Sequence, residues 1–156
     1  MANATMNANV SPKLLALLDD YSRYHLNPKN KLTHYLGIPV ITVTLLGMLS
    51  KLVILPISGP FQLDGGVLLW IVAFLFYMSL DWKIGLPFAI VGAGLYAIGR
   101  AMPMPALVVL FILGWILQYI GHLAYEKNSP AFYKNIEHFL IGPLWIFSRS
   151  VNYYRQ

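Results

Sequence analysis

Four histidines, His25, His34, His122 and His138, are the residues of this chain best suited to chemistry. They come as two pairs, one ahead of the first long apolar run and one at or after the end of the last. His122 and Glu126 stand four apart at the end of an apolar stretch, so on a helix they project from one face. Such a pair either binds a metal ion directly or lets the carboxylate orient the imidazole from behind. The chain has no cysteine, so a metal must be held by imidazole, carboxylate or water. Neutral imidazole suits iron, zinc, copper or nickel, and an iron site with open positions can activate oxygen. The competing role for histidines at a membrane boundary is to bind headgroups or cap helix ends. Glu126 can equally serve as an interfacial charge beside Lys127, His122 or Lys134.

The elements that must position these residues are set by composition. At 156 residues, 58% hydrophobic, 11% charged and with a mean hydropathy of +0.61, the chain is too apolar for a soluble domain of its size. The net charge of +5 is spread around apolar runs and forms no Lys/Arg stripe, so no nucleic-acid partner is expected. There is no Gly-x-x-x-x-Gly-Lys loop, no nucleophile elbow and no paired carboxylate within a span, which leaves transporter and hydrolase readings without support. The first apolar run follows a polar stretch containing Asp19, Asp20 and Arg23, so it is not a cleavable signal peptide.

The reading is an all-α fold: a polytopic membrane bundle of about four transmembrane helices, with short interfacial helices at both ends. Residues 1–11 are expected to be disordered and 12–156 to form one membrane domain. Leu14, Leu15, Leu17, Leu18 and Tyr21, behind Ser11 as N-cap and Pro12, predict an amphipathic surface helix over Pro12–Tyr24. His25 to His34 reads as a polar loop. Spans are expected at about 35–57, 66–82, 84–99 and 105–125. The second and third are short against the ~20 residues of a usual crossing; they either sit in a thin bilayer with little tilt or form a hairpin that fails to cross. Asp81 and Lys83 flank Trp82 in what reads as a solvated turn, and Trp70, Trp115 and Trp145 read as interface or packing residues. Gly92 and Gly94, with Ala89, Ala93 and Ala97, offer a small-residue face for close helix packing. Phe139 to Phe147, with Gly142 and Pro143, reads as an interfacial or re-entrant segment. With the N-terminus inside, nine Lys and Arg side chains fall on the inner side and only Lys51 and Arg100 on the outer. Both termini are therefore expected in the cytoplasm, in a bacterial inner membrane or an endoplasmic reticulum membrane.

The stretch His25-x-x-Pro28-x-Asn30-x-x-x-His34-x-x-Gly37-Ile38-Pro39 is followed, about 80 residues later, by Gln118-x-x-Gly121-His122-x-x-x-Glu126-x-x-x-Pro130-Ala131. Together these resemble the motifs of the small membrane-bound 2-hydroxy fatty acid dioxygenases, over about Tyr24 to Phe147. The resemblance implies an iron(II) enzyme, with Fe(2+) as cofactor, that uses molecular oxygen to shorten a 2-hydroxy fatty acid by one carbon, the oxidative step of fatty acid α-oxidation. It makes His25, His34 and His122 the leading iron ligands, with His138 as a fourth ligand or a substrate contact and Glu126 as a further catalytic candidate. The substrate's tail would lie among the spans and its head at the histidines. Lys31, preferred over Lys29 and Arg23, would hold the carboxylate, with Asn30 and Gln118 as further substrate contacts. The acidic residue expected after the final apolar stretch is absent; Ser148-Arg149-Ser150 stands there.

Two other classes fit the same residues. Histidines on antiparallel helices can ligate haem in an electron carrier, although a loop position for His25 and His34 speaks against it. A membrane scaffold or lipid-binding protein would need none of them. Oligomeric state is not legible.

Overall fold

In the computed structural model, residues 9–56, 62–127 and 136–155 are described. Helix α1 is Pro12–Arg23; the Ser11 hydroxyl accepts from the Leu14 N–H and Pro12 opens the first turn, as expected. Its Leu14 and Leu18 are fully buried. Helix α2, Pro28–Leu49, corrects the expected loop: His34 stands on a helix that starts well before residue 35. The signal is Asn27-Pro28. The Asn27 side chain caps the Lys29 N–H at 2.9 Å, and proline occupies the first helical position, where its missing N–H costs nothing. A proline and two asparagines therefore start a helix here instead of breaking one.

The fold is all-α as expected but for one short antiparallel hairpin past α2, in which β1 (Val53–Leu55) pairs β2 (Leu63–Asp64). The hairpin ends the first span at Leu49, short of the expected residue 57, which lies outside the described residues. Helix α3 is Gly65–Leu80, with Asp64 accepting from the Val67 N–H, and helix α4 is Trp82–Ala101. The helix over the expected third span is thus 20 residues, longer than expected, whereas the helix over the second is 16. Helix α5, Met104–Tyr119, continues without a break into a wider π-helical turn, Ile120–Glu126. Helix α6, His138–Ser150, is the last helix among the described residues. Three segments, α2, α4 and Met104–Glu126, are long and apolar enough to cross a membrane, and α3 is a shorter apolar helix.

Contacts run in opposite order along α2 and α5, Gly37 on Gln118 and Gly47 on Leu107, and along α3 and α4, Gly66 on Tyr96 and Gly92 on Trp70, so these helices alternate in direction and the histidines gather at one end of the bundle. Close approach between α2 and α4 comes from Gly47 and Gly99, where a Cβ on Gly99 would overlap the Val43 carbonyl. The small-residue face expected around Gly92 and Gly94 is only half used. Gly92 backs onto the Trp70 indole, but nothing lies within 4 Å of where a Gly94 Cβ would be.

Within the expected solvated turn Trp82 and Lys83 are exposed, but Asp81 is not. Asp81 is 7% exposed, and its Oδ2 accepts from the Ser11 N–H and the Tyr153 hydroxyl, both at 2.8 Å. One carboxylate thereby ties both ends of the chain to the α3–α4 junction. Phe139 to Phe147, expected as an interfacial or re-entrant segment, is helical. It lies within the continuous helix α6, which packs on α1 through Ile141, Leu144 and Trp145, all fully buried.

Candidate metal centre and apolar cavity

His25 follows α1, one turn beyond Tyr21, and its Nδ1–H donates to the Tyr21 carbonyl at 2.7 Å. The Tyr21 ring stacks on the imidazole, centroids 4.2 Å apart. His34 repeats the device one helix later, donating from Nδ1 to the Asn30 carbonyl at 2.9 Å. A backbone carbonyl can only accept, so both rings carry the proton on Nδ1 and turn a lone pair outward from Nε2. This is the arrangement that fixes ring orientation and basicity in metal-binding histidines. His122, on the π-helical turn, completes the group: one nitrogen from each ring lies within 4.8 Å of the others, and all three residues are buried. His34 Nε2 and His122 Nε2 are 3.1 Å apart.

Burial in apolar surroundings comes first, and proximity to His34 second, in pushing the His25 pKa down to about 2. The ring is therefore neutral at physiological pH. Burial also raises the Tyr21 hydroxyl well above its usual range, so the stacking ring stays protonated.

Fit to a metal can be tested on two atoms. His25 Nε2 and His122 Nδ1 are buried and have no hydrogen-bond partner among the described residues. Buried polar nitrogens are rarely left so, and a cation shared by the three rings removes the deficit at His25. The separation of 3.1 Å between His34 and His122 matches two nitrogens about 2.1 Å from one cation at a right angle. The three-histidine group can hold a metal ion.

The two sequence motifs interlock around this group. A Cβ on Gly121 would run into Asn30 Oδ1 and Thr33 Oγ1, and one on Gly37 into Gln118 Nε2. Only glycine lets the π-helical turn approach α2 closely enough to face His122 toward His34. Glu126 does not bond to His122. Its Oε1 accepts from the Asn27 N–H at 2.7 Å and from Asn30 Nδ2 at 3.1 Å, pinning the end of the π-helical turn to the start of α2. The pairing expected with His122 or Lys127 is thus replaced by the two asparagines; Lys134, Pro130 and Ala131 lie outside the described residues.

The remaining candidates separate clearly. Gln118 is buried and lines the cavity beside the histidines, its Nε2 3.5 Å from the Thr33 carbonyl. Asn30 is wholly buried as the bracket between His34 and Glu126. Lys31 is not on the cavity wall; it sits in the fields of Arg149 and Glu126. His138 lines the cavity but stands outside the three-histidine group, edge-on to Tyr21 at 5.6 Å, with Nε2 2.9 Å from Asp20 Oδ2.

Sequence reasoning missed the shell behind the centre. The Trp145 indole packs 5.6 Å from His25 and donates to Ser22 Oγ at 2.7 Å. Tyr154, 3.0 Å from Ser22, donates in turn to Asp19. Arg149, where an acid was expected, lies over Trp145 and donates from Nε to the Tyr35 hydroxyl. The spacing of Tyr21 and His25, four apart, was the available signal for the stacking of those two rings.

From the histidines an apolar cavity runs between α2, α3 and α4, along Ile38, Ile41 and Leu45 to Leu46, and past Ala73, Trp70, Phe88 and Gly92 to Leu69 and Leu95.

No solved structure matches the chain. The chain is similar to the 2-hydroxy-palmitic acid dioxygenase MPO1 of Saccharomyces cerevisiae, 30% identical over 134 residues that cover 85% of this chain and 76% of the yeast protein. Residues 13–152, which hold all four histidines and both motifs, match the family model for 2-hydroxy-palmitic acid dioxygenase Mpo1-like proteins, and the chain belongs to that family.

Proposed function

We propose that this protein is an iron(II)-dependent dioxygenase of the membrane that shortens 2-hydroxy fatty acids by one carbon, with His25, His34 and His122 as the iron ligands. The observation that carries the reading is the juxtaposition of three buried imidazoles, two of them with unpartnered nitrogens, and an apolar cavity running from them. The substrate class comes from the relative in yeast, whose name gives 2-hydroxy-palmitic acid. When bound, iron supplies a redox-active centre with open positions for oxygen chemistry.

The chain's own residues do the rest. The Tyr21 and Asn30 carbonyls hold the lone pairs of His25 and His34 inward, and Glu126 holds Asn30, so Glu126 and Asn30 act as positioning residues. Gln118 presents a polar group to the substrate's head, and the cavity wall excludes water from its tail. Lys31 and Arg149 make this end of the bundle cationic, which favours an anionic head. The reaction balances with substrate and oxygen alone: C2 becomes the new carboxyl, C1 leaves as carbon dioxide, and the four electrons taken by oxygen all come from the C1–C2 unit, giving water. No external reductant is needed.

The basic residues gather at the histidine end, and Lys51 and Arg100 lie at the other, which supports a cytoplasmic site with both termini inside. A haem-binding electron carrier is disfavoured by geometry, because His34 and His122 nitrogens 3.1 Å apart leave no room for a porphyrin between them.

The test is metal analysis and oxygen uptake on purified protein. About one iron per chain, lost in His34→Ala and His122→Ala, together with 2-hydroxy-palmitate giving the C15 acid, is the expected result. Protein that takes up no metal after anaerobic iron(II) loading, or no oxygen with the substrate, sinks the proposal.

A further inference from the structure

We propose that the cavity is blind at its far end and measures the acyl chain, with Leu46, Leu69 and Leu95 as the residues that set the length limit. The inference deepens the reading above and rests on it for the chemistry at the head.

The floor is built from glycine contacts. Just below Leu46, which is 4% exposed, Gly47 meets Gly99 so closely that a Cβ on either would strike the other helix's backbone. A Cβ on Gly66 would stand 2.6 Å from the Leu46 carbonyl and 3.0 Å from the Tyr96 ring. Helices α2, α3 and α4 therefore converge at one level and leave no passage between them. Behind this level lies a polar plug: Asp64, wholly buried, accepts from the Tyr96 hydroxyl at 2.6 Å, and Arg100 donates to the same hydroxyl at 3.2 Å. An alkyl terminus that reached further would have to displace a bonded carboxylate.

The depth follows from α2, which lines the cavity from His34 to Leu46. That is a rise of about 18 Å at ~1.5 Å per residue. An extended alkyl chain advances about 1.25 Å per carbon, the projection of a ~1.5 Å carbon–carbon bond, so about 14 carbons fit below the head. With C1 and C2 at the histidines, the limit is about 16 carbons. Leu69 and Leu95 stand within one turn of the floor contacts at Gly66 and Tyr96 and line the cavity from the two facing helices.

The experiment uses the full chain in lipid nanodiscs and has two readouts. In the first, a 2-hydroxy C16 acid with a terminal diazirine is photolysed and the labelled residues are mapped. Label at Leu46, Leu69 or Leu95 is expected; label on outward faces of α3 and α5, as when the tail leaves sideways into the bilayer, overturns the proposal. In the second, 2-hydroxy acids from C12 to C20 are compared as substrates. Leu69→Phe and Leu95→Phe should each raise the C12 to C16 ratio of kcat/KM about tenfold, because two or more buried methylenes are displaced, and Leu95→Ala should move the optimum to longer chains. Folded variants with the parental length profile overturn it as well. Floor labelling without turnover of any acid would instead leave the blind pocket standing and remove the dioxygenase reading.

Discussion

His34 Nε2 faces His122 Nε2 at 3.1 Å, although 88 residues separate them in the chain. The proton on Nδ1 of His34 leaves only a lone pair on its Nε2, so the pair is held together either by a proton carried on His122 or by a cation between the rings. Nothing in the local sequence creates the proximity. It comes from Gly37 and Gly121, which let the α5 end of one motif slide onto the α2 start of the other.

Gly121→Ala tests that dependence. The added methyl would overlap Asn30 Oδ1 and Thr33 Oγ1, and relief requires the π-helical turn to move off α2. Overpacking of this kind costs about 1–3 kcal/mol. The variant should lose both thermal stability and metal. Gly94→Ala is the matched control, since nothing lies near its Cβ; it should keep its metal and gain slightly from helix propensity. Equal metal content in the two variants would show that close approach at Gly121 does not govern the centre.

Glu126→Ala removes the acceptor for the Asn27 N–H and Asn30 Nδ2. Losing charge-assisted bonds at a partly buried site costs about 1.5–3 kcal/mol. Because Asn30 also holds His34, metal affinity should fall with stability, and Glu126→Gln, which keeps an acceptor oxygen, should recover much of both. Isothermal titration with iron(II) under anaerobic conditions, paired with thermal melts, reads the two effects separately. A loss of stability with unchanged affinity would confine Glu126 to a helix clamp.

How much of this was legible follows from what kind of signal each residue leaves. The three ligand candidates were visible because histidine is scarce here and sits in two spaced motifs, and the apolar spans because length and composition suffice for them. The start of α2 was missed because Pro28 and Asn30 were weighed as breakers, when Asn27-Pro28 is a cap followed by a proline at the first helical position. Asp81 was missed for a different reason: its partners, Ser11 and Tyr153, are some 70 residues away on either side, and no local pattern announces such contacts. The same holds for Trp145 behind His25. The strand Val53–Leu55 was absorbed into the first apolar run, because short β-strands and helix ends share a composition, while its partner Leu63–Asp64 fell in the break after that run.

Acid should destabilise the metal-free protein through His25. In the folded chain burial, and next His34, hold its pKa near 2, against an ordinary value of 6.5. Below 6.5 the unfolded chain takes up a proton that the folded one refuses, so stability falls as pH drops from 6.5 toward 2 and is insensitive to this group above 6.5. The slope from one such group approaches about 1.4 kcal/mol per pH unit. Thermal melts of chelator-treated protein at pH about 7.5, 6 and 5 should show the midpoint dropping only on the acid side, and His25→Gln should flatten the drop. A melting point that rises on acidification would contradict a buried neutral ring.

His138 separates a ligand from a neighbour. It lines the cavity with the other histidines and stands outside the group whose nitrogens converge; its Nε2 lies 2.9 Å from Asp20 Oδ2 but makes no hydrogen bond among the described residues. To become a ligand it would have to bring α6 inward, against the packing of Trp145 and Ile141 on α1. Its place beside Tyr21 and Tyr24 suits a contact with the substrate's head instead. His138→Ala should therefore keep its metal while raising KM, whereas His25→Ala should lose the metal and all turnover with it. Elemental analysis of the two variants, run beside steady-state kinetics on the first, decides the point: a His138→Ala protein that purifies without metal makes this residue a fourth ligand and requires α6 to close on the centre when the ion binds.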